Sequence, residues 1–192
     1  MSIKTSLKKI KLFLFVFILA TQANAISIGD FNVPDKISVQ KKTLLLNGTA
    51  YRKVSAFKVK VWLSALYLET LSKNSDDILN SKTIKAIELY PLYEITAGDS
   101  VKGWQLAFDD NCETNCTELK PEIQKFLASV TDFKKKDFYR YEFSENGVEH
   151  FINNKLIFKS NNSNFAKLLL ATWIGKKPPT EEVKKGLLSD TH

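Results

Sequence analysis

The chain has 192 residues, a formal charge of +7, and 44% apolar, 26% charged and 11% aromatic side chains, an ordinary globular composition that excludes disorder, collagen and low-complexity repeats. Its length fits one domain or two small ones, and seven glycines with five prolines leave little material for a long linker. Two histidines and two cysteines make a zinc site of several His or Cys ligands hard to assemble, and any catalytic histidine would have to be His150.

Residues 1–25 read as a leader. Lys4, Lys8, Lys9 and Lys11 form a basic start, Leu12 to Ala20 is an apolar run of nine, and Thr21-Gln22-Ala23-Asn24-Ala25 ends in an Ala-x-Ala pattern. This is the signature of a secretory signal peptide cleaved after Ala25. As a helix the apolar run would rise only about 14 Å against a hydrocarbon core of roughly 30 Å, so a membrane anchor is disfavoured. No Cys follows the run, which argues against a lipid-anchored form. Four of the 28 basic residues and none of the 21 acidic ones fall in this segment, so the remaining chain, 26–192, carries only +3. Its one short basic run, Lys134-Lys135-Lys136, ends at Asp137 and reads as a solvated loop rather than a nucleic-acid face.

Beyond the leader, Ile37–Val39 and Leu44–Leu46 are short apolar runs separated by Lys41-Lys42, and Asn47-Gly48 marks a turn. From Ala56 to Glu69 the sequence alternates, with Phe57, Val59, Val61, Leu63, Ala65 and Tyr67 on one face and Lys58, Lys60, Trp62, Ser64, Leu66 and Leu68 on the other. Period two over this length predicts a long strand. Its second face changes from charged to apolar midway, as expected of a strand that leaves solvent for a covered region or lines a cleft.

Ser75-Asp76-Asp77 can cap a short helix through Leu79, and Thr83 to Tyr90 is a strand stopped by Pro91. Asp99 opens a helix with Val101, Trp104 and Phe108 at helical spacing. Leu119, Ile123, Phe126, Leu127 and Val130 form a second apolar stripe, with Pro121 in the first turn. Phe138–Phe143, Val148–Ile152 and Leu156–Lys159 read as three antiparallel strands joined at Glu145-Asn146-Gly147 and Asn153-Asn154-Lys155. Ser163 caps a long helix through Trp173, stopped by Gly175 and Pro178-Pro179, and Thr180 to Leu188 closes the chain with a short helix. Strand blocks alternating with helix blocks, with hairpins among the strands, predict a single α+β domain on an antiparallel sheet.

Cys112 and Cys116 stand in C-x₃-C spacing. Export to an oxidising compartment favours their pairing, but one continuous helix would hold the side chains nearly parallel, so 110–117 reads as a loop between helices closed by a disulfide. Two free thiols and a redox or metal role are the alternatives. Ready-made catalysis is scarce: there is no nucleophile elbow, no phosphate-cradling glycine loop and no His-Glu-x-x-His. His150 lies in a predicted strand and reads as structural. Asp109 and Asp110 are adjacent and diverge on a helix. Arg52, just before the long strand, suits a carboxylate, phenolate or polarised carbonyl, although on spacing alone it reads as a surface salt-bridge arginine.

The stretch Leu46-Asn47-Gly48-Thr49-Ala50-Tyr51-Arg52, followed by Phe57 through Glu69, resembles the N-terminal signature of the chalcone isomerase-like family, in which a Gly-x-x-x-Arg turn leads into such a strand. Val33-Pro34-Asp35, the Trp104 helix, Asn111-Cys112, and Phe165-Ala166-Lys167 leading to Trp173-Ile174-Gly175 and Pro178 match in order, and the likeness is to exported bacterial members. The resemblance implies an α+β open-faced β-sandwich, a large antiparallel sheet packed against a helical layer with a ligand cleft between them.

The family includes chalcone isomerases, which close a flavanone ring without a cofactor, and non-catalytic relatives that bind fatty acids. Arg52 matches the enzymes' carbonyl-polarising arginine, whereas Trp62, Trp104 and Val183 stand where the enzymes carry hydroxyl groups. Losing one donor to a developing oxyanion typically costs about 10²–10³ in rate. The resemblance therefore implies an exported (periplasmic or secreted) non-catalytic protein that binds a small apolar anionic ligand, such as a fatty acid, through Arg52, Trp62, Trp104 and Asn111. No catalytic residue, cofactor, metal or nucleic-acid partner is expected. An intramolecular lyase of chalcone isomerase type is the alternative, and a protein-interaction module of the same fold is the third reading.

Overall fold

A computed structural model describes residues 25–112 and 116–189. The expected leader, apart from Ala25, lies outside the described residues. Among those residues no helix is long and apolar enough to cross a membrane.

Short turns make the sheet a meander. Strands β3 (Lys36–Val39), β4 (Lys42–Val54), β5 (Val59–Leu68), β6 (Lys85–Pro91), β7 (Tyr139–Ser144), β8 (Gly147–Ile152) and β9 (Lys155–Ser160) pair antiparallel in sequence order in one seven-stranded sheet. The β8–β9 hairpin shows why. Asn153 and Asn154 both take positive φ, 52° and 65°, as a two-residue turn matched to strand twist requires, and asparagine tolerates that region. Helix α1 (Ser75–Asn80) interrupts the meander between β5 and β6, and α2 (Ala97–Asn111) with α3 (Cys116–Ala128) between β6 and β7. Helices α4 (Ser163–Ile174) and α5 (Glu181–Leu187) follow β9. The result is the expected α+β architecture.

Both sheet faces are covered over part of their area, which accounts for the two-faced strand. On one face Leu63, Ala65 and Tyr67 of β5 pack with Val33, Ile37, Leu44, Leu46 and Ala86 beneath a hairpin of β1 (Ala25–Ile28) and β2 (Phe31–Pro34). The opposite face, including Leu66 and Leu68, joins the helices in the main core around Phe108, Phe126, Phe165, Leu169 and Trp173. Phe57 departs from the expected apolar face. It precedes β5 in the β4–β5 turn and is 90% exposed.

Several ends differ from expectation because a neighbouring side chain reaches the free helix N–H groups better. Asn74 rather than Ser75 caps α1, Thr96 caps α2 three residues before Asp99, and Asn162 rather than Ser163 caps α4, accepting from Phe165 N–H at 3.0 Å. Pro121 sits inside α3 rather than in its first turn. Cys112 caps the end of α2, Cys116 begins α3, and the two form a disulfide with Cα atoms 5.7 Å apart. The helices thus run closer to the cysteines than a loop over 110–117 implies, and residues 113–115 lie outside the described residues.

Asn47-Gly48 is not a turn. It is an irregularity within β4, where the pairing with β5 shifts between Leu46 and Gly48. Asn47 donates to Leu187 C=O at 2.8 Å and Ser72 C=O at 3.0 Å, and accepts from Ser72 N–H at 2.9 Å. Gly48 lets α5 come close: a Cβ there would lie 2.2 Å from Gly186 O and 2.7 Å from Leu187 O, both rigid backbone atoms. Gly186 reciprocates, since its Cβ would meet Thr49 O at 2.6 Å. Gly48→Ala is expected to destabilise the fold by about 3 kcal/mol, the upper end of the overpacking range. Urea denaturation with an unchanged slope and a lowered midpoint checks this, and an unchanged midpoint would contradict it.

Candidate functional site

The end of the sheet nearest the β4–β5 turn opens into a cleft of about 690 Å³ between the strands, α2, and the connection from α4 to α5. Its size is typical of small-molecule sites. Alternation along the strands sets its floor: Trp62, Leu89, Tyr139, Tyr141, His150 and Ile152 line it from β5 to β8. Trp104 and Ala107 of α2, Phe133 and Trp173 supply the opposite walls. Exposed apolar side chains gather at the mouth. Val54, Tyr93 and Leu106 line it and are 39%, 50% and 65% exposed, and Phe57 sits in the turn joining the lining residues Val54 and Val59.

Arg52 and Trp62 face one another across β4 and β5 in direct register and both line the cleft. Arg52 Nη1 donates to Pro179 C=O at 2.7 Å, which fixes the guanidinium against the α4–α5 connection. A guanidinium has five N–H groups, and no carboxylate pairs with Arg52 among the described residues. Burial alone draws its pKa down from the ordinary arginine value, so the site favours an anion that would restore the lost solvation. Trp62 stacks edge-on against Phe133 at 5.9 Å, and its indole N–H is buried with no acceptor among the described residues.

Trp104 lines the cleft while packing on Phe108, Phe126, Tyr141 and Trp173, with ring centroids 5.1–6.0 Å apart. The structure does not bring Asn111 into this lining. Its amide donates to Ala107 C=O and Lys177 C=O at 3.0 and 2.7 Å and accepts from Lys177 N–H at 3.2 Å. The side chain is occupied in clamping the α4–α5 connection to the end of α2. Val183 is fully buried in α5 and does not line the cleft.

The sequence reading missed the inner floor. Tyr141 and His150 are paired residues of β7 and β8, and their rings stack at 4.2 Å, 7° from parallel. The alternation Tyr139, Tyr141 and His150, Ile152 was the available signal, since it assigns all four to one face. His150 is 4% exposed, and burial pushes its pKa down to about 4, so the imidazole is neutral at neutral pH. Five buried side-chain polar atoms lack a hydrogen-bond partner among the described residues, and three of them are His150 Nδ1, His150 Nε2 and Trp62 Nε1. An orphaned buried polar group costs about 1–3 kcal/mol, so the fold carries a penalty concentrated at this cleft.

The carboxylates Glu94, Asp99 and Asp110 lie at the exposed rim, where Asp99 pairs with Lys102 at 3.1 Å. Thr172 donates to Leu169 C=O, and the Tyr139 hydroxyl is bonded to Asp132 C=O and Lys134 N–H. Among the described residues no cluster of His, Cys, Asp and Glu could hold a metal ion. The arrangement supplies a cation at the mouth, an aromatic channel, and unpaired donors and acceptors on its floor, which is chemistry suited to holding an amphipathic molecule.

The unfolded chain binds a proton on His150 near pH 6.5 and the folded protein only near pH 4, so the unfolded state is the more protonated between those values. Stability is therefore lost as pH falls from 6.5 towards 4. His150→Phe keeps an aromatic ring and removes both unpaired nitrogens. We expect it to be more stable by about 1–3 kcal/mol at neutral pH, and its loss on acidification to be smaller than wild type by on the order of 3 kcal/mol. Denaturant titrations of both proteins at neutral pH and near pH 4 measure this, and parallel losses would contradict the assignment.

Comparison with known proteins agrees with the architecture. The profile of the chalcone isomerase-like family matches residues 25–189. Among solved structures, an Arabidopsis thaliana fatty-acid binding protein, AtFAP1, superposes with a TM-score of 0.69 at 12% identity, covering 85% of this chain and 95% of that one. No curated protein sequence matches. With a family match across nearly all the described residues, and a curled antiparallel sheet bearing helices on the face that holds the cleft, the chain belongs to the chalcone isomerase-like family.

Proposed function

We propose that this protein is an exported, non-catalytic member of its family that binds a small apolar anion such as a fatty acid in the cleft. The observation that carries this reading is the pairing of Arg52, which has no carboxylate partner, with the orphaned Trp62 N–H at one end of an aromatic channel. A carboxylate accepts from both donors, and the chain lies along Trp104, Phe133, Tyr141 and Trp173. About ten buried methylenes would contribute roughly 8 kcal/mol before ordering costs, at about 0.8 kcal/mol each. The solved relative AtFAP1 is described as a fatty-acid binding protein, which supports this ligand class. Tryptophans at positions 62 and 104, where an isomerase of this family would present hydroxyl groups, support a non-catalytic role. The leader over 1–25 and the Cys112–Cys116 disulfide support export to the periplasm or the medium.

Arg52→Ala is expected to weaken a long-chain carboxylic acid by about tenfold or more, since a charge-assisted hydrogen bond is worth about 1.5–3 kcal/mol. The alcohol of equal length should change much less. Calorimetric titration with the matched pair tests this, and equal losses would remove Arg52 from the binding site. The unmodified protein should not cyclise a chalcone in an absorbance assay, and sustained turnover would overturn the non-catalytic reading.

A further inference from the structure

An alkyl chain leaves one part of the cleft unexplained. Tyr141 and His150, stacked across β7 and β8, place three unpartnered polar atoms at its floor. Among the described residues neither His150 nitrogen has a hydrogen-bond partner and none bonds the Tyr141 hydroxyl, although both residues are at least 96% buried. Neighbouring side chains on this face offer no remedy, because Phe126, Phe158 and Ile152 are apolar, Trp173 meets Tyr141 through a ring contact, and Tyr139 is already bonded to Asp132 and Lys134. A neutral imidazole presents one N–H and one lone pair, and a phenol both donates and accepts. One hydroxyl or carbonyl oxygen can pair with the phenol and with one of the imidazole nitrogens.

We propose that Tyr141 and His150 form a second polar subsite, which selects ligands carrying a hydroxyl or keto group within their apolar portion. The proposal rests on the cleft being the ligand site and specifies the class of molecule further: an oxygenated long-chain acid, held by its carboxylate at Arg52 and by a chain oxygen at the floor. Trp62 serves the carboxylate end, being in register with Arg52.

The test is calorimetric titration of the full exported chain with octadecanoic acid and with octadecanoic acids bearing a hydroxyl or keto group at successive mid-chain carbons. For wild type, the best-placed oxygenated acid should bind about three- to tenfold more tightly than the plain acid. His150→Phe and Tyr141→Phe should each abolish or reverse that preference, because each keeps the ring and removes the partner. A wild-type protein indifferent to the oxygen at every position, or variants that keep the preference, would overturn the subsite. Failure of wild type to bind even the plain acid would instead reject the ligand reading on which the subsite depends.

Discussion

Helix α5 can lie on strand β4 only because neither backbone carries a side chain where they cross. Gly48 faces the Gly186 and Leu187 carbonyls and Gly186 faces the Thr49 carbonyl, at distances that no Cβ could occupy, and Asn47 locks the crossing by bonding the last turn of α5. Much follows from this contact. It fixes the last turn of α5 beside the middle of β4, so that the helix start lies towards the end of β4 and Pro179 C=O stands 2.7 Å from Arg52 Nη1. The same connection is held at its other end by Asn111 on Lys177. The cleft mouth is thus framed by segments far apart in the chain, and Arg52 is held there by a neutral carbonyl rather than by an acid. Among the described residues no acid pairs with it, which leaves the guanidinium open to an anion.

The sheet contributes a second constraint. Because it is a meander, each strand adds one or two side chains to the same patch of the concave face, so the cleft floor changes character smoothly from Arg52 and Trp62 to Tyr141 and His150. Burial then acts differently at the two ends. At Arg52 desolvation lowers the pKa but leaves the group charged, whereas at His150 it holds the imidazole neutral. One end is an electrostatic anchor and the other a hydrogen-bonding surface. Both carry unsatisfied donors that a purely structural core would have exchanged for apolar groups, consistent with stability conceded at a functional site.

The features legible in the sequence were those set by local periodicity. The alternation over 57–68 located β5 and its change of environment, Asn146-Gly147 and Asn153-Asn154 located hairpins, and the stripe from Leu119 to Val130 located α3. Features set by distant contacts were misread. Asn-Gly usually signals a turn through its backbone freedom, yet Asn47-Gly48 serves a helix about 140 residues later, as the bond to Leu187 shows. The β1–β2 hairpin was missed because its strands are only four residues each, too short for alternation to register. Within the site, Arg52, Trp62 and Trp104 were visible through the family pattern. Asn111 matched that pattern but is spent on Lys177, and His150 read as structural because only pairing with Tyr141 reveals the cluster it joins.

The central claim is that the cleft holds an amphipathic acid with its head at Arg52 and Trp62. A crystal structure of the protein with a long-chain fatty acid tests it most directly. The account predicts continuous density through the cleft, with the carboxylate bonded to the Arg52 guanidinium and the Trp62 indole N–H and the chain running towards Tyr141 and His150. A chain bound elsewhere on the molecule, or seated in the cleft with its carboxylate turned away from Arg52, would contradict it.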